Sequence, residues 1–208
     1  MKLHFVDTET SHLDCSQGEI TEIAIITYCT EKKSVSNYVR KIKMQNPELA
    51  NPKSLEIGNY DEDVWEQEGS YFYEIAEDIS KILKKGMIIA HNVNFDYNYL
   101  LSEFKKYNSL LTKKDRLRIT YKTFDTKNLV FEHLFPYLHS TSMNTVREFF
   151  MWSKEGSHTA LKDANDCKRL FFLLNKCSWI KRTYYISKHY LMKKYATLRI
   201  KMYFFLSK

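Results

Sequence analysis

The stretch Leu3-His4-Phe5-Val6-Asp7-Thr8-Glu9-Thr10 does most to limit what this chain can become. Its first four residues read as a short buried strand, and two acids stand at the strand's end. Residues i and i+2 of a strand point to one face, so Asp7 and Glu9 project side by side while Thr8 faces the other way. Two carboxylates so placed repel each other unless a cation lies between them. Taken alone, the pair also suits a solvated strand end, and only the remainder of the chain separates the two readings.

A chain of 208 residues has the length for one well-buried domain with an appendage. An apolar content of 44% with 27% charged residues is globular and excludes a disordered chain. The net charge of +7 is concentrated at one end. Nine of the 32 Lys and Arg fall in residues 176–208, which hold no Asp or Glu, leaving 23 basic against 25 acidic residues, a net of −2, in 1–175. A nearly neutral body thus carries a cationic arm. Cys15, Cys29, Cys167 and Cys177 show no C-x-x-C pairing or zinc spacing and read as reduced thiols. No signal-peptide pattern precedes the first strand and no apolar run is long enough to span a bilayer, so the expected compartment is the cytoplasm.

Taken in order, Ser11–Gly18 reads as a polar turn, and Glu19–Thr30, with Ile23, Ala24, Ile25, Ile26 and Tyr28, as a central strand. Val35–Met44 suggests a third strand, the three forming an antiparallel meander. Residues 46–70 are polar and irregular, with short helical turns expected. Phe72–Lys85 has 3-4 apolar spacing and ends at Gly86 as a helix does. Met87–Ala90 is a short apolar strand running into His91-Asn92, and a second helix pattern follows with Phe95, Tyr99, Leu100 and Phe104. Arg118–Thr126 reads as a strand whose Asp125-Thr126 caps a short helix. Helices are expected over Ser142–Phe150 and Ala160–Leu174, with a Gly-containing loop at Ser153–Ser157. Strands followed by alternating helices and strands indicate an α/β domain with a mixed sheet.

Acids stand in three places where such a fold does not require them: Asp7 with Glu9, Asp96 in the first turn after His91-Asn92-Val93-Asn94-Phe95, and Asp163. For Asp96 the positive end of the helix dipole is reason enough by itself. His158 precedes Asp163 by five residues, a turn of about 500°, so on one regular helix the two point roughly 140° apart. His158 therefore belongs on the loop before the helix, where Gly156 and Ser157 allow movement, and Asp163 in an early turn.

Asp-x-Glu on the first strand, His-Asn-x-x-Phe-Asp after an apolar strand and His-x-Ala-x-x-Asp near the end resemble the DnaQ-like, DEDDh-type 3′–5′ exonucleases, in the family's order over roughly residues 1–175. The resemblance implies an RNase H-like fold: a mixed five-stranded sheet with helices on both sides, and here a basic, helical C-terminal extension, 176–208. It implies metal-dependent release of nucleoside monophosphates from a 3′ end. It assigns Thr8, Thr10 and Leu13 to the terminal nucleotide, with Leu13 wedged against the last bases, and His91, Asn92 and Phe95 to the pocket wall. One departure stands out: the family's usual Gly before that Leu is His12 here, whose Cβ bears on the loop conformation.

The chemistry agrees with that assignment. Phosphodiester hydrolysis needs an activated water and neutralisation of charge at the phosphorus and the leaving oxygen, which two divalent ions about 4 Å apart supply. Asp7, Glu9, Asp96 and Asp163 offer the all-oxygen ligands that Mg²⁺ or Mn²⁺ prefers, and two such ions balance four carboxylates. His158 is then the general base, an imidazole's ordinary pKa of about 6.5 suiting proton removal near neutrality. In the extension, Tyr184, Leu191, Tyr195, Leu198, Met202 and Phe205 fall close to a 3-4 repeat with lysines between, a basic amphipathic helix for packing, phosphates, a partner or an acidic surface. The leading expectation is a DNA 3′–5′ exonuclease acting on single-stranded or frayed ends, with a DNA polymerase subunit as a partner in trans. RNA 3′-end trimming and a non-catalytic nucleic-acid- or polymerase-binding module are the alternatives.

Overall fold

The computed structural model describes residues 1–113, 115–135, 137–175, 181, 183–192 and 194. Their contacts divide into two compact units: Met1–Thr126 with Glu155–Leu170, and the described residues of Lys127–Lys154 with Phe171–Lys208.

The first unit is built on a sheet of β1 (Lys2–Thr10), β2 (Ile20–Cys29), β3 (Ser34–Lys43), β4 (Ser70–Tyr71), β5 (Met87–Ala90) and β6 (Thr123–Asp125), in the order β4-β3-β2-β1-β5-β6. β1, β2 and β3 form the expected antiparallel meander, while β1–β5 and β5–β6 pair in parallel. The expected five strands are present, and the two-residue β4 adds a sixth at the edge. β6 is much shorter than the Arg118–Thr126 strand read from sequence. Its β-formers Ile119, Thr120 and Tyr121 lie outside the ladder, and Thr120 is tied instead by its backbone N–H to the Leu83 carbonyl at 2.8 Å.

Helix periodicity is the more dependable guide. α3 (Phe72–Leu83) and α4 (Val93–Ser109) follow their apolar spacing. The irregular stretch holds α1 (Pro52–Ile57) and α2 (Glu62–Glu68), capped by the Asn51 and Asp61 side chains. Val6, Ile23, Ile25 and Ile88 of the sheet pack with Ile75, Ile79 and Leu83 of α3 and with Leu100 and Phe104 of α4. The strand residues of opposite parity, Phe5, Ala24, Ile26 and Ile89, are also fully buried, so the sheet is covered on both faces. α5 (Thr126–Leu134), α6 (Met143–Phe150) and α7 (Ala160–Leu174) follow. In the extension, residues 183–192 are helical as expected, and the expectation for 195–208 lies outside the described residues. No helix among the described residues is long and apolar enough to cross a membrane.

Candidate active site

Strand register gathers the acids. Phe5 lies opposite Ile89 and Ala90 opposite Asp125 in parallel ladders, so Asp7, His91 and Asp125 emerge at one end of the sheet. On the antiparallel side Glu9 pairs with Glu22, and the ladder shifts register between Glu9 and Thr10, a bulge that re-aims the strand end. Burial raises the Glu22 carboxyl, while a hydrogen bond from the Ala160 backbone N–H, and then the charge of Lys41, pull it back. That bond docks the first turn of α7, which carries Asp163, onto β2 beside Glu9.

Asp96 comes from the first turn of α4 and is only 4% exposed. Its Oδ1 accepts two bonds from Thr8, from the backbone N–H at 3.0 Å and from the hydroxyl at 2.9 Å. Burial pushes this carboxyl upward; the Thr8 bonds oppose the shift and the Asp125 charge adds to it. Burial first, and then the charges of Asp163, Glu22 and Asp96, push Glu9 to about 8. Acids from β2, α4 and α7 thus act on one carboxyl of β1. Asp7 and Asp125, with Asp96, bear likewise on the buried thiol of Cys167, which burial above all drives upward and leaves inert. Among the described residues no three His, Cys, Asp or Glu side chains stand close enough together to hold an ion as they are. The carboxylates sit at the range of mutual repulsion.

His158 lies in the turn before α7, half-buried, at φ 63°, and Asp163 is in the first turn, as their spacing required. The His158 carbonyl accepts a bond from the Asn59 side-chain amide at 3.0 Å. A Cβ on the neighbouring Gly58 would stand 3.3 Å from Glu9 Oε2, so one short turn lies against Glu9 and also grips the His158 loop.

The residues assigned to the nucleotide are used more variously. Thr8 is buried and spent on Asp96. Thr10 donates its hydroxyl to the His12 carbonyl at 2.9 Å, and Tyr99 donates to the same oxygen. His12 has no positive φ, and its Nδ1 accepts the Asp14 backbone N–H at 3.0 Å, so the missing glycine leaves a formed turn. The space comes from Gly18, where a Cβ would stand 2.6 Å from His12 Cβ. Leu13 projects from this turn at 79% exposure. His91 bonds Thr126 Oγ1 at 3.0 Å, and Asn92, at φ 90°, gives its backbone N–H to Asp125 Oδ1 at 3.0 Å. Phe95 packs on Tyr99 with ring centroids 5.0 Å apart.

Four contributions escape a reading of the sequence: Glu22 opposite Glu9, Thr8 as a clamp on Asp96, Asn59 on the His158 loop, and Asp125 beside Asp96. Glu22 has a signal, the one charged residue inside the mostly apolar run Ile20–Tyr28. Asp125 reads from sequence as a helix cap alone, and Asn59 lies in a stretch without periodicity.

A mixed α/β sheet with carboxylates collected at the ends of its parallel strands defines the class, an RNase H-like nuclease fold. A family model described as Exonuclease matches residues 5–171, and the chain belongs to that family, the DnaQ-like 3′–5′ exonucleases. It is 30% identical over 191 residues to the 3′-5′ exonuclease DinG of Staphylococcus saprophyticus, covering 88% of this chain and 20% of that protein. It is 29% identical over 167 residues to the DNA polymerase III subunit epsilon of Treponema pallidum, covering 79% of this chain and 72% of that one. E. coli exonuclease I in complex with a dT13 oligonucleotide superposes with a TM-score of 0.69 at 16% identity, over 84% of this chain and 41% of that chain, a likeness of fold. The chain spans about a fifth of the DinG relatives' length. Exonucleases of this type are metal-dependent.

Proposed function

We propose that the chain hydrolyses DNA from the 3′ end, releasing nucleoside monophosphates, with Asp7, Glu9, Asp96 and Asp163 holding two Mg²⁺ or Mn²⁺ ions and His158 as general base. The observation that carries this is the surroundings of Glu9, whose carboxyl is pushed to about 8 by burial and by Asp163, Glu22 and Asp96. Such a cluster concentrates negative charge that Lys41 offsets only in part at Glu22, and its all-oxygen donors fit a hard divalent cation. When bound, the ions supply charge neutralisation at the phosphorus and at the leaving 3′ oxygen.

The chain's own residues do the rest. The His158 imidazole takes a proton from the attacking water as the new O–P bond forms and the bond to the 3′ oxygen breaks. Thr8 holds Asp96 in place through two bonds to Oδ1. The exposed Leu13, on the turn that Thr10 holds, meets the terminal nucleotide, Thr8 serves it only through Asp96, and His91, Asn92 and Phe95 line its pocket. A proofreading or repair role, with a polymerase subunit in trans, is proposed on the likeness to the epsilon subunit.

The test is digestion of 3′-labelled single-stranded DNA, duplex DNA and RNA with Mg²⁺, with Mn²⁺ and in EDTA. Mononucleotide release from DNA, abolished by EDTA, is the expected result. Release from RNA alone moves the assignment to RNA trimming, and no release from any substrate leaves a binding module.

A further inference from the structure

At the end of β1 away from Asp7 and Glu9 lies an open cleft of about 580 Å³, lined by Lys2, Lys32, Lys81, Lys84 and Lys85 with Glu31 as its one acid. Glu31 is taken up by the Met1 amino group at 2.6 Å, and Lys81 by Glu77 and Asp78 at 3.4 Å each. Among the described residues, Lys2, Lys32, Lys84 and Lys85 have no acidic partner. Four like charges around one opening repel unless an anion enters.

The backbone beneath them is fixed. His4 is fully buried, its Nδ1 bonded to Thr27 Oγ1 at 2.9 Å and its Nε2 to the Lys85 carbonyl at 2.8 Å. Gly86, at φ 117°, lets the α3–β5 turn approach so closely that a Cβ would stand 2.6 Å from the Lys2 carbonyl oxygen. The Thr30 backbone N–H and hydroxyl each bond the Met1 carbonyl at 3.0 Å, tying the β2–β3 turn to the same place.

We propose that this cleft binds the phosphate backbone of single-stranded nucleic acid at a distance from the cleaved end, an inference that rests on the exonuclease reading above. Protein interfaces are depleted in Lys and centred on aromatic or Arg anchors; among the described residues this cleft has neither anchor, and its lysine point charges suit phosphate. Among the described residues it has no ring on which a base could stack, so its contacts are sequence-independent. Five residues of strand separate Lys2 from Asp7, about 17 Å, so only a strand long enough to span at least that distance reaches both places.

Cys29 lines the same cleft and reports on it without any need for turnover. The experiment measures iodoacetamide labelling of Cys29 by peptide mass spectrometry in EDTA, with dT20, dT3 or polyglutamate present. The comparison protein carries K2Q, K32Q, K84Q and K85Q together. In the unaltered protein dT20 is expected to slow labelling at least fivefold and dT3 not at all, and the variant is expected to lose that protection. The salt dependence of dT20 binding should flatten by about 3 in log–log slope, four contacts at about 0.7 each. Equal protection in the two proteins, or protection by polyglutamate and not by dT20, overturns the proposal. Because labelling is read in EDTA, a chain without nuclease activity fails the digestion assay and leaves this result standing.

Discussion

Replacing Glu9 by Gln is expected to stabilise the metal-free protein at alkaline pH while removing its activity. The Glu9 carboxyl titrates near 4.5 when solvated and about 8 in the fold. An acid whose folded-state pKa is raised destabilises the fold above its unfolded pKa, and the penalty grows between the two values and is complete above the upper one. The gap, at about 1.4 kcal/mol per pH unit, sets a ceiling of about 5 kcal/mol. Sharing of the repulsion with Asp96 and Asp163 lowers this by a factor of about 2, to about 2 kcal/mol. For a chain of this size about 2 kcal/mol corresponds to a rise in Tm of about 4 °C or more. The assay is thermal unfolding in EDTA from pH 4 to 9. E9Q should gain at pH 8 and not at pH 4, and saturating Mn²⁺ should raise the unaltered protein's Tm more than the variant's. An E9Q protein no more stable than its parent at pH 8 refutes the reasoning.

Asp7→Ala, Asp96→Ala and Asp163→Ala should each abolish mononucleotide release, and normal turnover by Asp163→Ala would exclude the assigned ligand set. Thr8→Val keeps the backbone bond to Asp96 and loses the hydroxyl bond; about 1 kcal/mol of stability and a reduced kcat are expected, read by urea unfolding and steady-state kinetics. Gly18→Ala forces a Cβ to within 2.6 Å of His12 Cβ and should lower Tm, with His12→Gly restoring part of the loss in the double variant. If Gly18→Ala unfolds at the parent's temperature, the His12 turn is not packed as described.

The meander, α3, α4 and α7 were legible because apolar spacing and turn residues agree along each of them. The end of β1 was legible because a period of two puts Asp7 and Glu9 on one face whatever surrounds them. What sequence hid was pairing across the chain. Nothing local to Glu22 says that it lies opposite Glu9 and takes the N–H of Ala160. Nothing local to Asn59 says that it meets a carbonyl 99 residues on. β6 misled for the converse reason: Arg118–Tyr121 has strand-forming residues but finds no ladder partner, and β propensity is settled by neighbours.

The left-handed backbone at His158 changes how its replacement should be interpreted. Asparagine tolerates that conformation better than alanine does, so His158→Ala alters both the proposed proton acceptor and the ease of holding the turn. His158→Asn removes the proposed base while sparing the geometry, so its loss of rate against the parent reports the imidazole, and any further loss in His158→Ala reports the loop.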